Sequence, residues 1–420
     1  MQRGSDMRYY DTVVIGGGPA GMAAALSAYE AGAKTLIIET NDRLGGILNQ
    51  CIHNGFGLHY FGEELTGPEY ADRFKKRIAE TDIDVMTDTL VTDIGEGLVV
   101  NAMNSTLGAI QVKAGSVVYS LGCRERPRGA ISISGTRPAG IFTAGTAQYF
   151  VNIEGKLPGR KCVILGSGDI GLIMARRMLY EGAEISCVVE LMPYSSGLAR
   201  NIKQCLNDNN IPLLLSHTVV EIHGKDRLEG VTIAQVDEKL RPIRGTEQYI
   251  DCDCLLLSVG LIPQVEMAQD CGAMLKNGRI FVDDNYMTSV RGLFACGNTL
   301  HVHDLVDNVT EESIAAGRSA AEFALGITDG TSGDVINVQP GNCVTYVIPN
   351  ILHKEKEGSA VLRFRVSDSY RNREIRIRSN DTVLYRKKAA RVAPGEMQSV
   401  TFPRKLLSGE DVTDITVEIS

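Results

Sequence analysis

At 420 residues the chain is too long for one ordinary domain, and 44% hydrophobic with 22% charged residues reads as globular. A formal net charge of −8 argues against nucleic-acid binding, which needs a basic face. No run of about 18 apolar residues offers a transmembrane segment, and no apolar stretch precedes a cleavage site, so no signal peptide is expected and Met7 reads as the natural start.

Residues 9–40, YYDTVVIGGGPAGMAAALSAYEAGAKTLIIET, run apolar strand, glycine turn, apolar-periodic helix and second apolar strand. Gly16 permits the tight turn, Gly18 lets the backbone approach a pyrophosphate, and Gly21 lets the helix pack on the sheet. Pro19 and Ala20 open the helix, whose N-terminus favours negative charge. Glu39 ends the next strand, where a carboxylate accepts from ribose hydroxyls. Strand, helix, second strand and terminal acid agree, which makes the pattern far stronger than a lone GxGxxG.

The next stretch, LGGILNQCIHNGFG at 44–57, holds Cys51 and His53 behind the paired glycines Gly45 and Gly46. Cys51 reads either as a redox thiol or as a small packed residue. Short alternating segments follow up to residue 122 and suggest strands.

At 159–190, GRKCVILGSGDIGLIMARRMLYEGAEISCVVE repeats the first pattern. Gly166, Gly168, Asp169, Ile170 and Gly171 stand where the first glycine motif stands, and Glu190 ends the second strand. An acid there repels a 2′-phosphate, so NAD is expected over NADP. Two βαβ units imply two parallel sheets with helices on their faces. The ten cysteines include no C-x-x-C pair and no zinc or iron–sulfur spacing, and their scatter through apolar runs suits a reducing cytoplasm.

After TSVRGLFACGN at 288–298 comes CGNTLHVHDLVD, then a long helix read as beginning near Thr310. TEES suits a helix start, with Thr310 as cap and Glu311 and Glu312 complementing the dipole. His301 and His303 could bind a metal, but polar pocket lining outweighs that reading and no metal is expected. A Gly/Ser/Asp-rich break covers 326–334. Beyond it, alternation of period two suggests a small all-β sandwich-like domain with 14 Lys and Arg against 11 Asp and Glu. Its basic strands, RFRV and REIRIR, read as solvated outer faces.

Five stretches carry a resemblance: the two glycine motifs, TSVRGLFACGN, SVVYSLGCRERPR at 116–128, and the turn SVGLIPQ at 258–264. Together they resemble the FAD-dependent pyridine nucleotide–disulfide oxidoreductases of the thioredoxin-reductase-like, class II group, over residues 7 to about 326. The second FAD motif of that family ends in Asp, where this chain has Asn298. GGILNQCIHNGFG, GTRPAGIFTAGTAQ and CGNTLHVHDLVD further resemble a subgroup associated with anaerobic glycerol-3-phosphate dehydrogenases, similar to the flavin subunits of opine oxidase and cyanide synthase.

The resemblance implies an FAD domain at 7–125 and 286–330, an NAD domain at 126–285 inserted in it, and the β domain at 334–420. It implies that Gly16, Gly18, Pro19, Ala20, Gly21, Glu39, Thr40, Arg43, Gly45, Gly46, Ser120, Gly122, Gly297, Asn298 and Thr310 hold FAD. Gly166, Gly168, Asp169, Ile170, Gly171, Glu190 and Gly260 are implied for NAD(H). The resemblance further implies that hydride passes from NADH to the flavin and that electrons leave to an unidentified acceptor, a small molecule or a protein such as a partner dehydrogenase subunit. The family's C-x-x-x-x-C and C-x-x-C pairs are absent, so dithiol chemistry is not expected. Cys51, His53 and His303 are the catalytic candidates: Cys51 for a peroxidase-like or disulfide-reductase route, the histidines as acceptor-side proton donors.

Overall fold

The computed structural model describes residues 7–329, 333–409 and 412–420; residues 1–6 and part of the 326–334 break lie outside them. The chain divides into two compact units, the first running to Cys123 and resuming at Pro263, the second spanning Arg124–Ile262.

The first unit begins with β1 (Arg8–Ile15), α1 (Pro19–Glu30) and β2 (Thr35–Ile38). Val13, Val14 and Ile15 are all buried, as a central parallel strand covered on both faces requires. α1 is buried almost all round, from Ala20 to Ala28, which its run of small residues permits. α2 (Gly67–Ala79) starts at a capping box of Thr66 and Glu69 and turns Tyr70, Phe74 and Ile78 inward at four-residue spacing. β3 (Asp84–Met86), β4 (Thr89–Gly95), β5 (Val99–Asn104) and β6 (Gly108–Tyr119) complete a sheet ordered β3-β2-β1-β6-β5-β4.

In the second unit, β7 (Ile141–Thr143), α3 (Ala144–Asn152), β8 (Lys161–Leu165), α4 (Asp169–Tyr180), β9 (Glu184–Glu190), β10 (Leu213–Leu215) and β11 (Cys254–Leu257) build another parallel sheet, ordered β7-β11-β8-β9-β10. The two expected Rossmann-like units are therefore both present.

Back in the first unit, residues 263–285 pack with that unit rather than with the second, where the sequence places them. Ala268, Ile280 and Val282 share a core with Tyr119 and Leu293. β12 (Leu293–Ala295) joins β6 in parallel and leads to α5 (Val306–Ala324). α5 starts four residues before the expected Thr310. Thr310 bonds the Tyr70 hydroxyl at 2.7 Å instead of capping amides, and Asp307 is the acid of the first turn. α5 lies on α1 so closely that a Cβ on Gly317 would stand 2.1 Å from the Ala24 carbonyl oxygen.

The C-terminal segment is the expected all-β sandwich, and it belongs to the first unit. Its strands are β13 (Val335–Pro340), β14 (Val344–Ile348), β15 (Ile351–His353), β16 (Ser359–Val366), β17 (Tyr370–Ser379), β18 (Thr382–Val392), β19 (Gln398–Pro403) and β20 (Asp414–Ile419). A five-stranded sheet, β15-β13-β20-β17-β18, faces a three-stranded one, β14-β16-β19. Ala360, Leu362, Phe364 and Val366 of β16 point into the sandwich core, so Arg363 and Arg365 point the other way. That face is not solvated, which corrects the reading of RFRV. Arg363 donates to the Tyr286 hydroxyl at 3.0 Å and Arg365 to the Val302 carbonyl at 3.0 Å. Alternation revealed two faces without revealing what covers the second. A separate anchor is Asp284, which holds His353 at 2.6 Å and pairs with Arg404.

Candidate functional site

Both glycine motifs fold alike. In the first, Gly16 lies at φ +100°, and a Cβ there would stand 2.7 Å from the Ser120 carbonyl oxygen. A Cβ on Gly21 would sit 1.7 Å from the Gly16 oxygen, whereas one on Gly18 would meet nothing within 4 Å. The turn is thus closed toward the protein and open at Gly18, where the helix N-terminus emerges. Such a cradle fits a dinucleotide pyrophosphate. The Gly17 amide donates to Glu39 Oε2 at 2.7 Å, and the Asn41 amide to Oε1 at 2.8 Å. The buried Glu39 therefore ties the turn to the strand end.

The second motif repeats the clamp. The Ser167 amide and hydroxyl donate to Glu190 Oε2 at 2.8 and 2.5 Å, and the Met192 amide to Oε1 at 2.9 Å. Ser258 stands where Ser120 stands in the first copy, and its hydroxyl accepts from the Gly171 amide at 3.1 Å. Asp169 accepts from the Leu198 amide and the Asn201 side chain, at 2.8 and 2.7 Å, so it holds the following loop. Gly168 and Ile170 are half-buried, and a Cβ on Gly260 (φ +105°) would meet nothing within 4 Å.

Around the first cradle the structure assembles most of the expected residues. The Gly45 amide donates to the Gly17 carbonyl at 2.8 Å, a Cβ on Gly46 would lie 3.0 Å from the Gly18 Cα, and one on Gly297 would lie 2.7 Å from the Ala20 Cβ. Ser120 donates to the Ile15 carbonyl at 2.8 Å, and Gly122 sits in an open turn at φ +71°. Asn298 Oδ1 accepts from the His303 amide at 3.0 Å. Thr40 and Arg43 are exposed, with Arg43 paired to Asp42 at 2.7 Å.

The catalytic candidates separate. Cys51 ends a 3₁₀ turn, Gly46–Gln50. Part of the residue reaches solvent, yet burial pushes its thiol up to about 12. His53 Nδ1 pairs with the Asn54 carbonyl at 3.0 Å, its ring 5.1 Å from that of Phe56. His303 instead turns inward, with Nε2 3.1 Å from Glu312 Oε1, while His301 Nε2 lies 2.7 Å from Oε2. Glu312, expected as a dipole complement, is wholly buried and also accepts from the Gly297 amide at 2.9 Å.

Burial drives His301 down to about 4, so its ring is neutral. Burial also works against charge on Glu312, but its contacts with the two histidines outweigh that and hold it well below the usual carboxylate range. An ionised carboxylate only accepts, so both Nε2 atoms carry protons. Both Nδ1 atoms are buried without a hydrogen-bond partner, and that of the neutral His301 ring is a bare acceptor. The three side chains offer ligand atoms within 4.8 Å of one another, but Arg363 Nη1 lies 3.7 Å from Glu312 Oε2 and supplies positive charge there.

Sequence reasoning grouped Asp307 with His301 and His303 as pocket lining but missed its role, which is to accept from the Tyr60 amide at 2.8 Å and the Gly57 amide at 3.3 Å. It also missed Ser258 and the arginines of β16. Ser258 alone carried a signal, its alignment with Ser120 at the end of a strand.

A family model described as pyridine nucleotide-disulphide oxidoreductase matches residues 10–320. The chain belongs to that family. Its members are flavin-dependent NAD(P)H oxidoreductases, so FAD and NAD(P)H are its cofactors. The match ends before the β sandwich. One of the subunits of alkyl hydroperoxide reductase of Staphylococcus aureus is 27% identical over 329 residues, covering 76% of this chain and 59% of that protein. The HcnB subunit of hydrogen cyanide synthase of Pseudomonas protegens is 26% identical over 316 residues, covering 69% of this chain and 64% of that protein. The chain thus spans about three-fifths of the length of these curated relatives. Among solved structures, T. acidophilum thioredoxin reductase aligns with a TM-score of 0.62 at 22% identity, over 76% of this chain and 100% of that one, a likeness of fold. Among the described residues no helix is long and apolar enough to cross a membrane.

Proposed function

We propose that the chain passes electrons from NADH, in preference to NADPH, to an acceptor other than a cysteine pair of its own. The duplicated cradle, with a carboxylate tied to its turn in each copy, is the observation that carries this reading. FAD, when bound, supplies the two-electron carrier between reduced nicotinamide and acceptor. Gly16, Gly18, Pro19, Ala20 and Gly21 present a helix N-terminus to its pyrophosphate, and Glu39 offers acceptors to its ribose. Gly45, Gly46, Ser120, Gly122, Gly297 and Asn298 let backbone and amide approach it. Gly166, Gly168, Ile170, Gly171 and Gly260 do the same for the nicotinamide dinucleotide, and the charge of Glu190 disfavours a 2′-phosphate.

The acceptor side lacks thiol chemistry in this reading. No two cysteines have the dithiol spacings, and the Cys51 thiol is desolvated rather than activated. Cys162 and Cys254 pair across neighbouring strands, but both are wholly buried, and Cys254 together with burial raises the Cys162 thiol far above its usual range. With His303 committed to Glu312, His53 is the better proton donor. The names of two relatives describe subunits, which supports a protein acceptor or partner dehydrogenase subunit. The scatter of the ten cysteines through apolar runs suits the cytoplasm.

Anaerobic titration with NADH and NADPH, on wild type and Cys51→Ser, tests this. Flavin should bleach faster with NADH in both proteins, then reoxidise with equal rates against oxygen, peroxide, disulfides and quinones. No bleaching would defeat the reading. Disulfide or peroxide turnover lost only in Cys51→Ser would replace it with Cys51-dependent chemistry.

A further inference from the structure

The turn from Gly297 to His303 holds two residues assigned to the flavin, yet much of what fixes it comes from distant side chains. Glu312 accepts from the Gly297 amide at 2.9 Å and faces the Nε2 atoms of His301 and His303. Arg363 of the sandwich stands 3.7 Å from that carboxylate and donates to Tyr286 at 3.0 Å. Arg365 donates to the Val302 carbonyl at 3.0 Å and pairs with Asp304, whose other oxygen accepts from the Met397 amide at 2.6 Å.

We propose that the β sandwich is a working part of the flavin site, with Arg363 and Arg365 as positioning residues that hold the Gly297–His303 turn through Glu312 and Asp304. This rests on the reading that Gly297 and Asn298 hold FAD. Glu312 is wholly buried, with the Arg363 guanidinium 3.7 Å from its Oε2. Its charge therefore needs a cation. A divalent ion would take the same three ligand groups, but it would meet a guanidinium already in place, and two cations on one buried carboxylate repel. Arg363 fills that role.

Without Arg363, the buried carboxylate must take up a proton or swing away, and either change weakens its hold on the Gly297 amide. Without Arg365, the Val302 carbonyl and Asp304 lose their common donor, further along the same turn. In both cases Asn298 moves, because its Oδ1 is bonded to the His303 amide at 3.0 Å. Neither arginine touches the cofactor in this account; each acts through the turn.

The test uses the full chain: wild type, Arg363→Met, Arg365→Met, Arg365→Lys, and Arg386→Ala on the exposed sandwich surface as control. Measured are the Kd for FAD, the visible spectrum and midpoint potential of bound flavin, and metal content. Each Met variant should weaken FAD by about tenfold or more and shift spectrum and potential, while Arg386→Ala changes nothing. Arg365→Lys keeps charge but loses the fork, so a smaller shift in the same direction is expected, and it carries the test if the Met variants do not fold. Unchanged Kd, spectrum and potential in the arginine variants would overturn the proposal. So would stoichiometric metal in wild type, which would displace Arg363 from its role. Failure of wild type to bind FAD would instead defeat the reading beneath it.

Discussion

Substituting Gly18 by alanine separates cofactor binding from folding. Gly18 is the N-cap of α1 at φ −72°, ψ −172°, a conformation alanine adopts freely. A Cβ there meets nothing within 4 Å. The unliganded variant should therefore fold as wild type does, or gain about 0.4–1 kcal/mol by restricting the unfolded chain. Its methyl group, however, enters the space assigned to the pyrophosphate. Displacing that group from two amide donors forfeits about 1.5–3 kcal/mol each, which corresponds to roughly a hundredfold to ten-thousandfold in Kd. Gly21→Ala is the contrast. Its Cβ would lie 1.7 Å from the Gly16 oxygen, so helix and strand must separate, at a cost of about 1–3 kcal/mol or more. The assay pairs thermal unfolding of apoprotein with FAD titration followed by quenching of the flavin's own fluorescence, which no tryptophan of this chain obscures. A threefold or smaller loss of FAD affinity in Gly18→Ala would show that Gly18 does not face the pyrophosphate.

Cys51→Ser should leave NADH-driven turnover with quinones within about twofold, because a thiol pushed up to about 12 holds almost no thiolate at neutral pH; a tenfold loss would mean that the thiol is used. Replacing Glu190 by alanine should cost NADH more than NADPH in kcat/KM and move their ratio by about tenfold, since hydrogen bonds to charged groups are worth about 1.5–3 kcal/mol; an unmoved ratio would refute the role of the carboxylate. His353 is raised above its ordinary value chiefly by its hydrogen bond to Asp284. The stability it contributes is therefore fully present below the unfolded pKa of about 6.5 and lost as pH rises through the folded value. Wild type should exceed His353→Gln in urea unfolding by about 1.5–3 kcal/mol near pH 6, and by less near pH 9. A gap that is constant or widens with pH would contradict the pairing. Asp283, 3.8 Å from His353 and pushed up to about 6 by burial, is ionised over the upper part of that range.

What the sequence made legible was local. A strand, a glycine turn and a helix lie within a few residues of each other, and steric demands at Gly16, Gly21 and their counterparts are met by neighbours in that same unit. The terminal acids Glu39 and Glu190 could be placed because strand length fixes where they emerge. The remainder depends on partners far away in the chain. TEES has the composition of a helix start, but Glu312 is drawn inside by two histidines and an arginine beyond the glycine-rich break. RFRV alternates as a surface strand would, and only its neighbours reveal that the charged face is covered. Likewise, nothing in CGNTLHVHDLVD says that His303 turns away from the pocket while Asp307 ties down the loop holding Gly57 and Tyr60.

The paired clamp on Gly17 and Ser167 bears on how the cofactors arrive. Each turn is tied to its strand by a buried carboxylate that accepts from the turn's own backbone amide. Loop ordering ordinarily subtracts from affinity, and here that entropy is lost when the chain folds. A dinucleotide therefore meets a rigid mould. Association should be a single step without a slow rearrangement, and apoprotein stripped of flavin should regain it directly from solution.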